Sequence, residues 1–373
     1  MGSTKWTPSI PSGATVEVSV IDTTTYLTKL DGALVVDPVY PGYEVMKIPS
    51  FSFLIHHLPS SSRVLFDLGL RKNWRTHLSP HLLREITALP FNINCEKDVA
   101  DILTENGVSP DSINAVVFSH HHWDHVGDTT RFPSTTRLVT GPGYKEKYLP
   151  GWPADPKAVE TTSDLYQGRE TVEIDFEAGA SSSSCLAIEG CQAYDYFGDG
   201  SFYLLNATGH TTGHLNALVR TTTAEAPEGD TFLLLGGDTA HHCSVLRPSV
   251  YCPFPATFSP APGNDDLNSS CPSKRYTSIH RASNQSSSTA ATVTSFCKLP
   301  EFNPYDEEIA VAKQTLDKIV PLDGADNILT VFAHDDSLMD VIDFFPKTAN
   351  NWKTDGWKRQ GHWRFLAPLK VDE

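Results

Sequence analysis

Residues 119–128 read Ser119-His120-His121-His122-Trp123-Asp124-His125-Val126-Gly127-Asp128, with the spacing H-x-H-x-D-H, and they follow the apolar run of residues 115–118. Such a run before a polar cluster is typical of a buried strand that ends in a functional loop. Imidazole and carboxylate together suit zinc, iron or manganese, so the stretch predicts a metal site. An expression tag or a solvated His-rich tract fits less well, because tags lie at termini and carry no interleaved Asp.

Three further apolar runs end in a side chain that can bind a metal. Residues 202–205 lead into Asn206-Ala207-Thr208-Gly209-His210-Thr211-Thr212-Gly213-His214. Residues 233–235 lead to Asp238, and residues 329–333 lead to His334. Loops at one end of a sheet can therefore converge on one metal centre.

These motifs together resemble the metallo-β-lactamase superfamily of metal-dependent hydrolases. The resemblance also covers a first strand at residues 16–21 and a strand and turn at residues 64–69. It implies a four-layer αβ/βα sandwich with two mixed β-sheets face to face, helices outside and a dimetal site at the sheet edge. The alternating pattern alone predicts an α/β class, with helices at residues 96–106 and 306–320.

The resemblance also implies a set of seven ligands. The first metal would be held by His120, His122 and His210. The second metal would be held by Asp124, His125 and His334. Asp238 would bridge the two metals.

Two such divalent ions, zinc being favoured over iron or manganese, share a water whose pKa falls to about 7 and so supply a hydroxide that attacks a substrate carbonyl. Asp124 would orient the hydroxide and pass its proton to the leaving atom as a general acid. Asp67 is similar to a structural Asp of the family that fixes the ligand loops. A role in capping the turn before Gly69 is an equally good interpretation of this Asp.

Four other side chains near these motifs need an interpretation. Alternation in an extended loop predicts that His121 and Trp123 point away from the metals, and His214 is expected to pack behind His210. In the lactonases that this arrangement resembles, a tyrosine three residues after the bridging Asp orients the substrate carbonyl. His241 occupies that position here, so it is either a carbonyl donor or a surface histidine.

Composition limits the partners. The net charge of −16 and a pI near 5.3 exclude nucleic acid and anionic membranes as favoured partners, because phosphate binding needs clustered Lys and Arg. Seven cysteines without a C-x-x-C spacing predict reduced thiols. The polar N-terminus and the absence of a long apolar run predict a cytoplasmic protein. The resemblance implies a small carbonyl compound as its substrate. Its oligomeric state is left open.

We expect one hydrolase domain over residues 1–373. The stretch of residues 248–300 is rich in Pro and Ser but retains aromatic residues such as Tyr251, Phe254, Phe258 and Tyr276. A loop of this length is commonly functional or disordered. We therefore interpret it as an insertion that either forms a wall or lid over the metal site or makes a surface excursion.

The function predicted from the resemblance is opening of a small cyclic ester or amide, that is a lactone, a lactam or a cyclic carbamate. An alternative is a hydrolase of acyl-carrier or glutathione thioesters, for which residues 71–75 (Arg71-Lys72-Asn73-Trp74-Arg75) would form a basic docking patch. A diiron redox protein would need an electron source, and the chain has no G-x-G-x-x-G motif. A non-catalytic metal-binding protein would be expected to have lost ligands.

Overall fold

The protein is described here by a computed structural model, which covers residues 6–177, 184–281, 290–301 and 305–371. The strands are β1 (Glu17–Asp31), β2 (Val45–His57), β3 (Ser62–Phe66), β4 (Asn92–Asn94), β5 (Ala115–Val117), β6 (Arg137–Thr140), β7 (Thr171–Glu173), β8 (Cys185–Ile188), β9 (Cys191–Asp195), β10 (Phe202–Asn206), β11 (Leu215–Thr222), β12 (Thr231–Leu235), β13 (Thr257–Phe258), β14 (Cys271–Pro272) and β15 (Ile328–Val331). The helices are α1 (Trp74–His77), α2 (Pro80–Ala88), α3 (Val99–Glu105), α4 (Tyr144–Tyr148), α5 (Lys274–Thr277), α6 (Ala290–Val293), α7 (Ile309–Gly324) and α8 (Trp357–Gly361).

Two mixed sheets contain most of the strands. The first has the order β4-β1-β2-β3-β5-β6-β7, with antiparallel pairing from β4 to β3 and parallel pairing from β3 to β7. The second has the order β15-β12-β11-β10-β9-β8 and is antiparallel except between β12 and β15. Strands β13 and β14 form a separate ribbon.

The two sheets pack face to face through apolar side chains. Phe53 and Val117 of the first sheet lie in the same buried cluster as Leu204, Ala217 and Leu233 of the second sheet. These side chains are almost completely buried, and each such burial stabilises the fold by about 1.5–3 kcal/mol for a large apolar group. The interface between the sheets is therefore the central core.

Helices cover the outer faces of both sheets. Val99 and Leu103 of α3 pack with the outer residues of the first sheet. Ala312, Leu316 and Ile319 of α7 pack over the second sheet, as the helical spacing predicts. The expected helices at residues 96–106 and 306–320 correspond to α3 and α7, and the four-layer αβ/βα sandwich is confirmed.

The sheet topology brings the sequence motifs to one edge. Strands β12 and β15 are parallel, with Leu235 opposite Val331, so Asp238 and His334 follow strand ends that lie side by side. Strand β10 pairs antiparallel to β11, as β12 does, and therefore ends at the same edge before His210. The loop after β5 reaches this edge from the facing sheet.

The Pro- and Ser-rich stretch of residues 248–300 contributes to the core where the structure describes it. Phe254, Phe258 and Tyr276 are buried in the cluster that covers the outer face of the second sheet. Residues 282–289 of this stretch lie outside the described residues. These aromatic side chains are therefore packing residues of the α7 side of the molecule.

The seven cysteines are all unpaired thiols, as predicted. Within the described ranges, no helix combines the length and apolar character needed to cross a lipid bilayer.

A buried ion pair joins Arg247, the residue directly before the 248–300 stretch, to α7. The Nε and Nη2 atoms of Arg247 donate to the two carboxylate oxygens of Asp323 at 2.9 and 2.7 Å, and both side chains are buried. We predict that Asp323→Asn lowers the free energy of unfolding by about 3–5 kcal/mol, because it leaves the charge of Arg247 buried without a counter-ion. Urea denaturation measures this, with exposed Asp317→Asn on the same helix as the control. Equal effects of the two substitutions would contradict the assignment.

Candidate metal centre

The H-x-H-x-D-H loop folds back on itself directly after β5. The backbone N–H of His125 and that of Val126 both donate to the carbonyl of His122, at 3.0 and 3.3 Å. This turn places the imidazoles of His120, His122 and His125 around the position that Asp238 reaches from the other sheet.

The first group of converging atoms consists of three imidazole nitrogens. Nε2 of His120 lies 2.9 Å from Nδ1 of His122, which lies 3.1 Å from Nε2 of His210. Oδ2 of Asp238 lies 3.6 Å from Nε2 of His120 and 3.5 Å from Nε2 of His210. Four potential ligand atoms therefore surround one point.

The second group lies on the other side of the same carboxylate. Oδ1 of Asp238 is 3.2 Å from Nε2 of His125 and 3.3 Å from Nε2 of His334. Oδ2 of Asp124 is 3.7 Å from Nε2 of His334. One oxygen of Asp238 thus faces each group, and all seven predicted ligands come together.

The electrostatics of the cluster favour positive charge next to Asp238. Burial lowers the pKa of His120 and lowers that of His210 to about 3, so both imidazoles are neutral with free lone pairs. Burial alone would raise the pKa of Asp238, but the surrounding histidines, His125 first, hold it well below its usual value. Burial opposes charge on His125, yet Asp238 and Asp67 together outweigh it and raise the pKa of His125. Asp238 and Asp124 likewise outweigh burial and raise the pKa of His334.

This donor set fits divalent cations. Neutral imidazoles and a carboxylate are the forms in which these groups bind metals. Oδ1 of Asp238 is buried and has no hydrogen-bond partner of suitable geometry among the described residues, which is costly unless a cation lies beside it. His120, His122 and His210 would hold one cation, and Asp124, His125 and His334 would hold the other.

Polar groups behind the ligands fix their orientation. Nδ1 of His125 lies 2.9 Å from Oδ2 of Asp67, which also anchors the loop by accepting from the Ser119 hydroxyl at 2.7 Å. Nδ1 of His334 lies 2.6 Å from the carbonyl oxygen of Pro49. Such partners set the tautomer of a ligating histidine and raise its basicity.

Asp306 is a candidate site residue that the sequence analysis did not identify. Its Oδ1 lies 2.7 Å from Nδ1 of His210, and both side chains are buried. The two residues are 96 positions apart, and Asp306 belongs to no motif in the chain. An Asp just before a helix is a common helix-start residue, so its local sequence does not indicate a role at the metal centre.

The remaining predicted residues lie close to the cluster. Nε2 of His214 accepts from the backbone N–H of Asp238 at 3.0 Å, which supports the bridging carboxylate from behind. The His121 ring stacks on Tyr148 with centroids 3.9 Å apart. Both His121 and Trp123 also line the cavity described below, in addition to the structural roles expected for them.

His241 is not a surface side chain. It is 12% exposed, and its Nε2 lies 3.2 Å from Oδ2 of Asp238. Its ring lies parallel to that of His334, with centroids 5.6 Å apart. The side chain therefore borders the same space as the metal-ligand candidates.

A cavity of about 480 Å³ opens over this cluster. Its floor includes His122, Asp124, Asp238, His241 and His334. Its walls are mainly apolar and are formed by Leu27, Leu30, Leu34, Val35, Ile48, Leu82, Ile86, Leu89, Phe91 and Trp123. This volume is in the range of small-molecule sites.

The apolar cavity walls come from β1, β2, α2 and the segments next to them and from Trp123 of the metal loop, and not from the stretch expected to form a lid. Among the residues that the structure describes, none between 248 and 300 lines the cavity. The lid remains a prediction only for residues 282–289, which are outside the described part.

The expected basic docking patch at residues 71–75 is not present as such. Arg71 is buried, and its guanidinium pairs with Asp128 at 3.1 Å and with Asp164. The Arg75 guanidinium lies over the Trp74 ring, 4.0 Å from its centroid. A buried, paired Arg71 cannot contact a partner protein, so this prediction was wrong for its leading residue.

Comparison with known proteins gives a consistent picture. The family model described as the metallo-beta-lactamase superfamily matches residues 45–247. The chain is 40% identical over 365 residues to gamma-lactamase FDB1 of Fusarium pseudograminearum, covering 95% of this chain and 83% of that protein. It is 39% identical over 361 residues to metallo-hydrolase mfmC of Annulohypoxylon moriforme, covering 95% and 88% respectively.

Solved structures agree on the fold. The crystal structure of a mutant of AiiA from B. thuringiensis, with N-decanoyl-L-homoserine bound at its active site, matches with a TM-score of 0.55. The match covers 90% of this chain and all of that one, at 15% sequence identity. This likeness supports the architecture.

The two kinds of residue in the cluster should differ in their effect on metal binding. We predict that His122→Ala removes bound metal, because a three-nitrogen site that loses one ligand binds divalent ions far more weakly. Asp306→Ala should retain the site but weaken metal affinity about 10- to 100-fold, as expected for a partner that orients a ligand. Zinc titration with a competing chelator measures both. Full metal retention in His122→Ala would contradict the ligand assignment.

Proposed function

The chain belongs to the metallo-beta-lactamase superfamily of metal-dependent hydrolases, and we propose that it opens a small cyclic ester or amide. The substrate class is a lactone, a lactam or a cyclic carbamate. The observation that carries the proposal is the Asp238 carboxylate, which presents one oxygen to each histidine group on the floor of the cavity.

We propose two zinc ions as the resident metals, with iron or manganese as alternatives that the same donors accept. When bound, a pair of divalent cations polarises a carbonyl and supplies a hydroxide nucleophile at neutral pH. The chain's own residues would then orient the substrate and move the proton.

Asp124 is the proposed proton carrier. Its Oδ2 lies 3.7 Å from Nε2 of His334, and the side chain also borders the cavity. As the ring bond from the carbonyl carbon to oxygen or nitrogen breaks, the heteroatom takes the electron pair and needs a proton. A carboxyl group at this position would deliver that proton.

His241 is the proposed donor to the substrate carbonyl oxygen. Its imidazole borders the cavity beside Asp238 and His334. An imidazole N–H directed at this oxygen stabilises the negative charge that develops when the carbonyl carbon becomes tetrahedral.

The cavity supports a compact, partly apolar substrate. Ten apolar side chains surround the polar floor, and about 480 Å³ is enough for a ring with a substituent. The relative from Fusarium pseudograminearum is named a gamma-lactamase, and the likeness to it extends over 95% of this chain. Both observations favour a ring-opening hydrolase.

The thioester alternative has less support. A carrier protein needs a docking surface. Arg71, the first residue of the basic run at residues 71–75, is buried and ion-paired with Asp128 and Asp164. The redox alternative requires iron, and the same donors bind zinc or iron. Elemental analysis of the purified protein, with an absorption spectrum for iron, tests this alternative.

One panel tests the proposal. The metal-loaded protein is assayed against lactones, lactams, cyclic carbamates and acyl thioesters of matched size, with ring opening followed by chromatography. We expect at least one cyclic ester or amide to be turned over far faster than every acyclic thioester. Turnover confined to thioesters would overturn the proposal.

Asp124→Asn should separate chemistry from metal binding. We predict a loss of about 10² or more in turnover, the scale of a positioned acid or base, with the metal held by His120, His122 and His210 retained. Steady-state kinetics and metal content on the same sample check this. A rate near that of the wild type with both metals bound would contradict the role of Asp124.

His241→Ala should lower turnover without emptying either metal site. The expected cost is about 2.7–4 kcal/mol in the transition state if His241 behaves like other oxyanion-hole donors. His241→Tyr, which restores the residue of the resembled lactonases, should shift preference towards simple lactones. Unchanged kinetics of His241→Ala on the best substrate would exclude this role.

A further inference from the structure

A short segment, residues 305–308 directly before α7, lies against the metal centre. The backbone N–H of Glu307 donates to the carbonyl of His210 at 2.8 Å, and that of Glu308 donates to the carbonyl of Gly209 at 3.0 Å. The Asp306 carboxylate lies 2.7 Å from Nδ1 of His210. The segment therefore has a fixed position relative to a metal-ligand candidate.

The Glu307 side chain fixes the same segment to α4. Its carboxylate accepts from the Tyr148 hydroxyl at 2.7 Å and from the Thr212 backbone N–H at 2.8 Å, and pairs with the Lys147 ammonium at 2.6 Å. Burial would raise the pKa of Glu307, but these partners outweigh it and lower that pKa to about 2. The carboxylate is charged at neutral pH and keeps these contacts.

Tyr305, the first residue of this segment, lines the cavity together with Asp124 and His241. The side chain is half-buried. Burial and the negative charge of Asp124 raise the pKa of the Tyr305 phenol. A tyrosine phenol has an ordinary pKa of about 10, so the hydroxyl carries its proton at neutral pH.

We propose that Tyr305 contacts the substrate, and that its hydroxyl donates a hydrogen bond to the ring heteroatom that leaves the carbonyl carbon beside Asp124. This inference rests on the proposed function. In the step, the bond from the carbonyl carbon to the heteroatom breaks and the heteroatom receives the electron pair. The Asp124 carboxylate takes the proton of the attacking hydroxide and passes it to the heteroatom, while Tyr305 keeps its own proton and stabilises the developing charge.

The identity of the leaving heteroatom determines how much a hydrogen bond from Tyr305 accelerates ring opening. The departing nitrogen of a lactam is more basic than the departing oxygen of a lactone, and sulfur is only a weak hydrogen-bond acceptor. A donor directed at this atom therefore contributes most for a lactam, less for a lactone and least for a thiolactone. A residue that only shapes the cavity would affect the three rings equally.

The test compares wild type, Tyr305→Phe and Tyr194→Phe on 2-pyrrolidinone, γ-butyrolactone and γ-thiobutyrolactone that carry the same alkyl substituent. Tyr194 is half-buried on β9 and does not line the cavity, so it controls for loss of a phenol. Metal content and melting temperature are recorded for each protein. Calorimetry measures binding of each ring and of its ring-opened acid.

We expect Tyr305→Phe to lower kcat/KM by about 10- to 100-fold on the lactam, less on the lactone and hardly at all on the thiolactone, with metal content unchanged. Equal losses on all three rings, a parallel shift of the acidic limb of every pH profile, or lost metal would overturn the inference. Rates equal to wild type would do the same.

If the proposed function is wrong, the metal-loaded wild type will turn over none of the three cyclic substrates, which is a different result from a failure of the Tyr305 proposal. The calorimetric comparison then still decides the role of Tyr305. Weaker binding of the lactam and its amino acid product to Tyr305→Phe than to Tyr194→Phe would support a substrate contact, and equal binding would exclude it.

Discussion

The buried carboxylate of Asp238 is the charge on which the arrangement of this molecule depends. A carboxylate removed from water is strongly unfavourable unless positive charge and hydrogen bonds compensate for it. Here one oxygen faces His120 and His210, and the other faces His125 and His334. Those residues come from loops after strands of both sheets, so the sandwich must close correctly before the charge is compensated.

A further set of carboxylates and carbonyls surrounds this centre. Asp67 supports His125, Asp306 supports His210, and the Pro49 carbonyl supports His334. Each of these contacts fixes an imidazole so that its other nitrogen is directed at the cluster. The supporting residues are far apart in sequence, from Pro49 to Asp306, so distant parts of the chain have to pack together before the site is complete.

The local motifs carry the resemblance that implied the four-layer fold and the seven residues that converge at the cluster. A strand followed by H-x-H-x-D-H indicates both a sheet edge and a set of donors, whereas the parallel pairing of β12 with β15 is seen only in the structure. Asp306 and the cavity walls could not be predicted in this way, because they depend on how α2 and the segment before α7 pack. Arg71 was misjudged for a similar reason: a basic run in sequence says nothing about Asp128 and Asp164, which bury its charge.

The central claim is that one carboxylate serves two metal positions. Anomalous diffraction at the zinc absorption edge, from crystals of the zinc-loaded protein, tests it most directly. We expect two anomalous peaks about 3.5–4 Å apart, one on each side of the Asp238 carboxylate. A single peak, or a second peak with no contact to Asp238, would contradict it.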